Sequence, residues 1–104
     1  MLESKFEREA IRSLRTLPNS YWPEKVDALS VRGLPDRVGL VNGMYCALEF
    51  KKSEAESKKK TGRIVLQRKT LDEIQKAGGY AAIVYPENWY FVYAELKHMS
   101  GEVP

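Results

Sequence analysis

Asp36, Glu49 and Lys51 are the residues whose types and spacing could do chemistry together. Asn42-Gly43 lies between two apolar runs, 37–42 and 44–51, and Asn-Gly in that setting is the strongest short hairpin signal a sequence carries. A hairpin closed there sets Asp36, six residues before Asn42, near-opposite Glu49, six residues beyond Gly43. Directly opposed residues have Cβ atoms about 4.5–5.5 Å apart. Two carboxylates that close repel each other unless a cation sits between them, and a hard divalent ion with oxygen ligands, such as Mg²⁺, suits the pair. Glu49 and Lys51 share one strand face, Phe50 points to the other, and the Phe50 backbone carbonyl is a further oxygen that could turn toward the ion. The ion would polarise a water, and the Lys51 ammonium would stabilise a hydroxide or the charge developing on a phosphorane. Glu-x-Lys alone recurs on many solvated strands, and Pro-Asp is commonly a turn. The surroundings set Glu49 apart: it sits in an otherwise apolar run, Met44 to Phe50, where a bare charge is costly without a partner.

The rest of the chain must position these groups. Residues 3–17 read as a helix with Phe6, Ala10, Ile11, Leu14 and Leu17 on one stripe. Ser4 and Glu7 have the spacing of a capping box, and Pro18-Asn19-Ser20 is the stop. Tyr21–Glu24 reads as an aromatic loop, 25–32 as a short extended segment, and Gly33-Leu34-Pro35-Asp36 as a turn before the hairpin. Residues 52–62, polar and without periodicity, read as a mobile loop. A helix follows over about 64–77, with Leu71, Ile74 and Ala77 as its core stripe and Gly78-Gly79 as its left-handed cap. Tyr80–Tyr85 reads as a buried strand, Pro86-Glu87-Asn88 as a turn, 89–96 as a last strand or strand-to-helix segment, and the tail from Met99 as frayed. The fold class is α/β, a central mixed sheet flanked by helices.

At 104 residues, 43% of them hydrophobic, one domain spanning 1–104 with a real core is expected. One cysteine, Cys46, and one histidine, His98, exclude an internal disulfide and Cys–His zinc motifs, and leave no Ser–His–Asp constellation. No apolar run approaches the roughly 18 residues of a membrane span, and the charged start MLESKFERE is unlike a signal peptide, so a cytoplasmic protein without membrane contact is expected. The net charge of +3 conceals an asymmetry. Residues 51–69 carry eight Lys or Arg and two Glu, net +6, which leaves nine basic and twelve acidic residues, net −3, elsewhere. A positive stretch on a near-neutral body points to a polyanionic partner or to a solvated charged loop.

Gly33-Leu34-Pro35-Asp36-Arg37, Ala47-Leu48-Glu49-Phe50-Lys51, Leu66-Gln67 and Ala77-Gly78-Gly79 together resemble the PD-(D/E)XK nuclease superfamily. Within it the chain is similar to the small stand-alone VRR-NUC and Holliday-junction-resolvase-like nucleases of phages and microbes. The likeness runs from the first helix to the Tyr80–Tyr85 strand. It implies a restriction-endonuclease-like core, helix-strand-strand-strand-helix-strand, with a Mg²⁺ or Mn²⁺ site, in the cytoplasm of a phage or microbial host cell. In that pattern Asp36 and Glu49, with the Phe50 carbonyl, are the metal ligands, Lys51 is the motif lysine, and Gln67 is the glutamine opening the second core helix. Gln67 otherwise reads as a polar residue on an exposed helix side. Glu7 is the first-helix acid by this resemblance, counted with the catalytic and metal-binding groups. Glu3, one turn earlier on the same face, is the alternative, and Glu9, facing elsewhere, the third. A charged first turn favoured by the helix dipole is the competing role for all three.

The expected activity is metal-dependent endonucleolytic hydrolysis of DNA. The segment carrying Lys52, Lys58, Lys59, Lys60, Arg63 and Arg68 leaves the active strand directly, where basic residues would neutralise phosphates without reading bases. No helix rich in Asn, Gln and Arg is present to read sequence, which favours structure-selective cleavage of branched DNA such as Holliday junctions. Symmetric cutting of a four-way junction needs two active sites, which a C₂ homodimer supplies. Tyr21-Trp22-Pro23 and Trp89-Tyr90-Phe91 read as core or subunit interface, base stacking being the rarer use. The competing readings are a non-catalytic nucleic-acid-binding module that retains the fold, and an interaction protein whose basic loop only solubilises it.

Overall fold

The computed structural model describes residues 3–25 and 34–101. Its elements are α1 (Glu3–Leu14), β1 (Ser20–Tyr21), β2 (Arg37–Val41), β3 (Met44–Phe50), α2 (Glu54–Ser57), α3 (Gly62–Lys76), β4 (Tyr80–Val84) and α4 (Trp89–Met99). The strands form one mixed sheet in the order β1-β2-β3-β4. The first two pairings are antiparallel and β3–β4 is parallel, with α3 as the crossover. The architecture is α/β, an open four-stranded sheet flanked by helices. Among the described residues no helix is long and apolar enough to cross a membrane.

The hairpin forms where Asn42-Gly43 requires it. Both turn residues have positive φ, 49° and 82°, which matches the right-handed twist of the flanking strands. The register pairs Val41 with Met44 and Arg37 with Leu48. Alternation along β3 then sorts its side chains into two layers. Cys46, Leu48 and Phe50 enter a core built with Phe6, Ala10, Ile11 and Leu14 of α1 and Val92 and Leu96 of α4. Ala47 packs on the opposite face with Ala81 and with Leu71 of α3.

Several elements differ from the sequence expectation for identifiable reasons. Helix α1 ends at Leu14 and the chain tightens into turns through Leu17, with Leu17 N–H donating to the Leu14 carbonyl. Ser4 lies inside α1, so it caps nothing. Ser20-Tyr21 is a short strand rather than loop, because it pairs with Val41 and Leu40 at the sheet edge. Residues 52–62 are not a featureless loop. Ser53 Oγ accepts from Glu56 N–H and caps α2, and Glu87 Oε2 accepts from Glu54 N–H. Thr61 starts α3 earlier than expected by accepting from Ile64 N–H. Helix α3 closes as anticipated: Gly78 is left-handed (φ 100°), Gly79 N–H donates to Ile74 O, and Gly78 N–H donates to Gln75 O. Ala77 is exposed rather than core. Residues 89–96 belong to a helix, α4, whose Val92 and Leu96 are buried four apart. Its end is not frayed at once, since Ser100 is fully buried and its carbonyl accepts from Asn19 Nδ2. Residues 26–32 of the expected extended segment, and Gly33 of the turn, lie outside the described residues.

Candidate active site

Continuing the β2–β3 register one step beyond Arg37↔Leu48 sets Asp36 across from Glu49. The Phe50 N–H donates to Asp36 Oδ2 at 2.9 Å, so the backbone between Glu49 and Lys51 fixes the aspartate. Glu49 points to the α3 side of the sheet and is only 1% exposed. One turn and a half into α3, Gln67 is buried above it, and its Nε2 donates to Glu49 Oε1 at 2.9 Å. The Lys51 ammonium lies 3.9 Å from the same oxygen and is itself buried. The structure therefore brings together Asp36, Glu49, Lys51 and Gln67. The exposed-polar role for Gln67 does not hold, because its side chain is turned into this group.

The group is electrostatically incomplete. Glu49 Oε2 and Gln67 Oε1 are buried and have no hydrogen-bond partner among the described residues. Burial, then the Asp36 carboxyl beside it, push the Glu49 pKa up to about 8 from the ordinary 4.5, against a smaller opposing pull from Lys51. Two ionised acids offer each other only acceptors, so the pair calls for a shared proton or a cation. A divalent ion needs oxygen ligands with free lone pairs, and the Asp36 carboxylate and the Glu49 Oε2 atom fit that need, the Phe50 carbonyl being the backbone oxygen between Glu49 and Lys51. The donor set suits Mg²⁺ or Mn²⁺ rather than a softer metal.

Glu7 does not join the pair. It is buried on α1 with two cations of its own, Arg37 Nε at 2.7 Å and Lys25 Nζ at 3.5 Å. Among the described residues no three His, Cys, Asp or Glu side chains gather into one ligand set. Glu9 is exposed, and the Glu3 side chain lies outside the described set. Arg37 is the residue sequence reasoning missed. It follows Asp36 directly, and the strand alternation that sends Val38 to the α3 side sends Arg37 to the α1 side.

The cationic segment is sorted by its local structure. Lys58 pairs with Glu54 at 3.0 Å and Lys59 with Glu56 at 2.8 Å on the surface of α2. Arg68 donates to the Ser57 carbonyl and ties α3 to the end of α2. Lys52, Lys60 and Arg63 are exposed and form no ion pair among the described residues. Trp22 and Trp89 serve the core around Phe6, whereas Tyr21, Tyr90 and Phe91 are exposed. Compared with family models, with curated proteins and with solved structures, the chain matches none.

Proposed function

We propose that the chain is a Mg²⁺- or Mn²⁺-dependent endodeoxyribonuclease on a restriction-endonuclease-like core of the PD-(D/E)XK type. Its substrate would be branched DNA, and a homodimer would present two active sites to it. One observation carries this reading: a buried glutamate, oriented through one oxygen by Gln67, keeps its other oxygen without a donor among the described residues, beside a second carboxylate. An unsatisfied buried polar atom costs about 1–3 kcal/mol; Trp22 Nε1 in the core bears the same cost, but only at Glu49 does the orphaned atom belong to an acid with a second carboxylate beside it, which a cation would satisfy.

Asp36 and Glu49, with the Phe50 carbonyl, are the residues that would hold the ion. When bound, it supplies Lewis-acid polarisation of a phosphate oxygen and of water. The chain's own residues do the rest. Phe50 N–H holds Asp36 in place, and Gln67 Nε2 holds Glu49. The Lys51 ammonium, beside Glu49, stabilises negative charge that develops on the phosphoryl group. Lys52, Lys60 and Arg63 meet the phosphates on either side of the cut, contacts that weaken with salt. Glu7 stays with Arg37 and anchors α1 to the start of β2, one residue from Asp36.

Labelled duplex, flap and four-way junction, incubated with Mg²⁺, with Mn²⁺ and with EDTA, test the reading. Cleavage in the presence of the ions, absent in EDTA and lost in Asp36→Asn and Glu49→Gln, is expected. Undiminished cutting by either purified variant overturns the residue assignment. Salt-sensitive binding with no cleavage under either ion identifies a binding module instead.

A further inference from the structure

Among the described residues, helix α3 packs on β4 and β3 and leaves Tyr21, Leu40 and Tyr45, toward the β1–β2 side of the same face, exposed. Tyr21 pairs with Leu40 and Leu40 pairs with Tyr45, so the three side chains stand in one row across three strands. Tyr45, Ala47 and Glu49 alternate along β3 onto a single face. The row therefore lies on the same face as the acid pair, with Val38 and Ala47 between, about 13 Å from Glu49 along the strand. Tyr21 is 63%, Leu40 45% and Tyr45 46% exposed.

Row and acids are each anchored by a neighbour: Phe50 N–H and Gln67 hold the acids, and Trp22 holds the start of the row. Trp22, the next residue after Tyr21, is buried in the opposite core and packs so closely on Gly39 that a Cβ there would meet its Cε3 at 2.6 Å. That anchor turns Tyr21 outward, onto the open face.

We propose that Tyr21, Leu40 and Tyr45 form a stacking surface for unpaired bases of the DNA strand engaged at Asp36 and Glu49. This rests on the nuclease reading and sharpens its substrate: DNA with a single-stranded stretch beside the cut, rather than continuous duplex. Charge and shape choose this occupant. The net +6 of residues 51–69 draws a polyanion to the acid end of the face. A strand leaving that end along β2, where Asp36 and Val38 are only half-buried, reaches flat tyrosine rings, on which bases stack whatever their sequence. Three side chains fall far short of the roughly 20–30 residues a side that a stable subunit interface uses.

The test measures binding, in EDTA, of the full chain to a single-stranded oligonucleotide containing 2-aminopurine and to a blunt duplex of the same sequence. Tyr45→Ala and Tyr21→Ala should each weaken single-strand binding by roughly 5- to 100-fold, the range for one lost stack. They should also relieve the quenching of 2-aminopurine and leave duplex binding unchanged. Tyr45→Phe, which keeps the ring and loses the hydroxyl, should retain the affinity. Equal single-strand affinity of the alanine variants, in a protein that still cuts DNA with Mg²⁺, overturns the stacking surface and leaves the nuclease reading standing. If the unaltered chain neither binds nor cuts any DNA, the nuclease reading itself has failed. A dimer dissociated by Tyr45→Ala with DNA affinity intact makes the row a subunit contact and overturns the proposal.

Discussion

Glu7, on helix α1, and Glu49, on strand β3, are both buried carboxylates, yet their surroundings are opposite. Glu7 has Arg37 at 2.7 Å and Lys25 at 3.5 Å, so its charge is answered from within the chain. Glu49 has one oxygen on Gln67, the other without a hydrogen-bond partner among the described residues, and an acid for a neighbour. Lys51, at 3.9 Å, is too distant for a tight contact. Both carboxylates were expected to serve as ligands. The difference is between an ion pair that joins two elements and an acid pair whose charge no described cation answers closely.

Substitutions at the two positions should break this contrast apart. Glu49→Gln should lower cleavage by roughly 10³-fold, as loss of an ion's charge stabilisation implies, while the folded state without cation stays as stable or gains. Thermal melts in EDTA and timed cleavage assays read the two effects separately. Glu7→Gln should do the reverse. It leaves Arg37 buried without its acid and should cost about 3 kcal/mol of stability, a fall in Tm on the order of 10–20 °C. A smaller effect is expected at Gln67. Gln67→Ala frees Glu49 to turn and should weaken cation affinity about 10- to 100-fold, the usual effect of losing a group that orients a ligand, measured by Mn²⁺ titration. The smallest is a pH slope. Folding raises the Glu49 pKa from 4.5 to about 8 because the side chain is buried beside Asp36. The folded chain without cation therefore holds a proton that the unfolded chain has shed. The stability this supplies is complete below pH 4.5 and is lost as pH rises through about 8. Cation affinity should rise over the same window by up to about tenfold per pH unit, because the ion must displace that proton. Denaturant titrations of the unaltered chain and of Glu49→Gln should show the slope in the first and not in the second.

The sequence reveals the site better than it reveals the layers around it. Asn42-Gly43 determines a register, and a register determines which residues face each other, so the Asp36–Glu49 pairing could be read by counting. The Glu7–Arg37 bridge could not, because it joins residues 30 apart on different elements. Ser53-x-x-Glu56 and Thr61 carried start signals for α2 and α3 that a charge-rich segment obscured. Trp89, Val92, Tyr93 and Leu96 have helical spacing, but their aromatic and β-branched types suggest a strand, and packing of Val92 and Leu96 against the sheet decides for the helix. Gln67 became part of the site only through its position over Glu49, which the hairpin alone does not supply.

Asp36 and Glu49 together would make one cation pocket. Calorimetric titration of Mn²⁺ into the full chain at pH 7, in two buffers of different ionisation enthalpy, tests it most directly. Saturable binding of one ion per chain with release of nearly one proton is expected, abolished in Glu49→Gln and preserved in Glu7→Gln. Binding without proton release, or binding that survives Glu49→Gln unchanged, would contradict it.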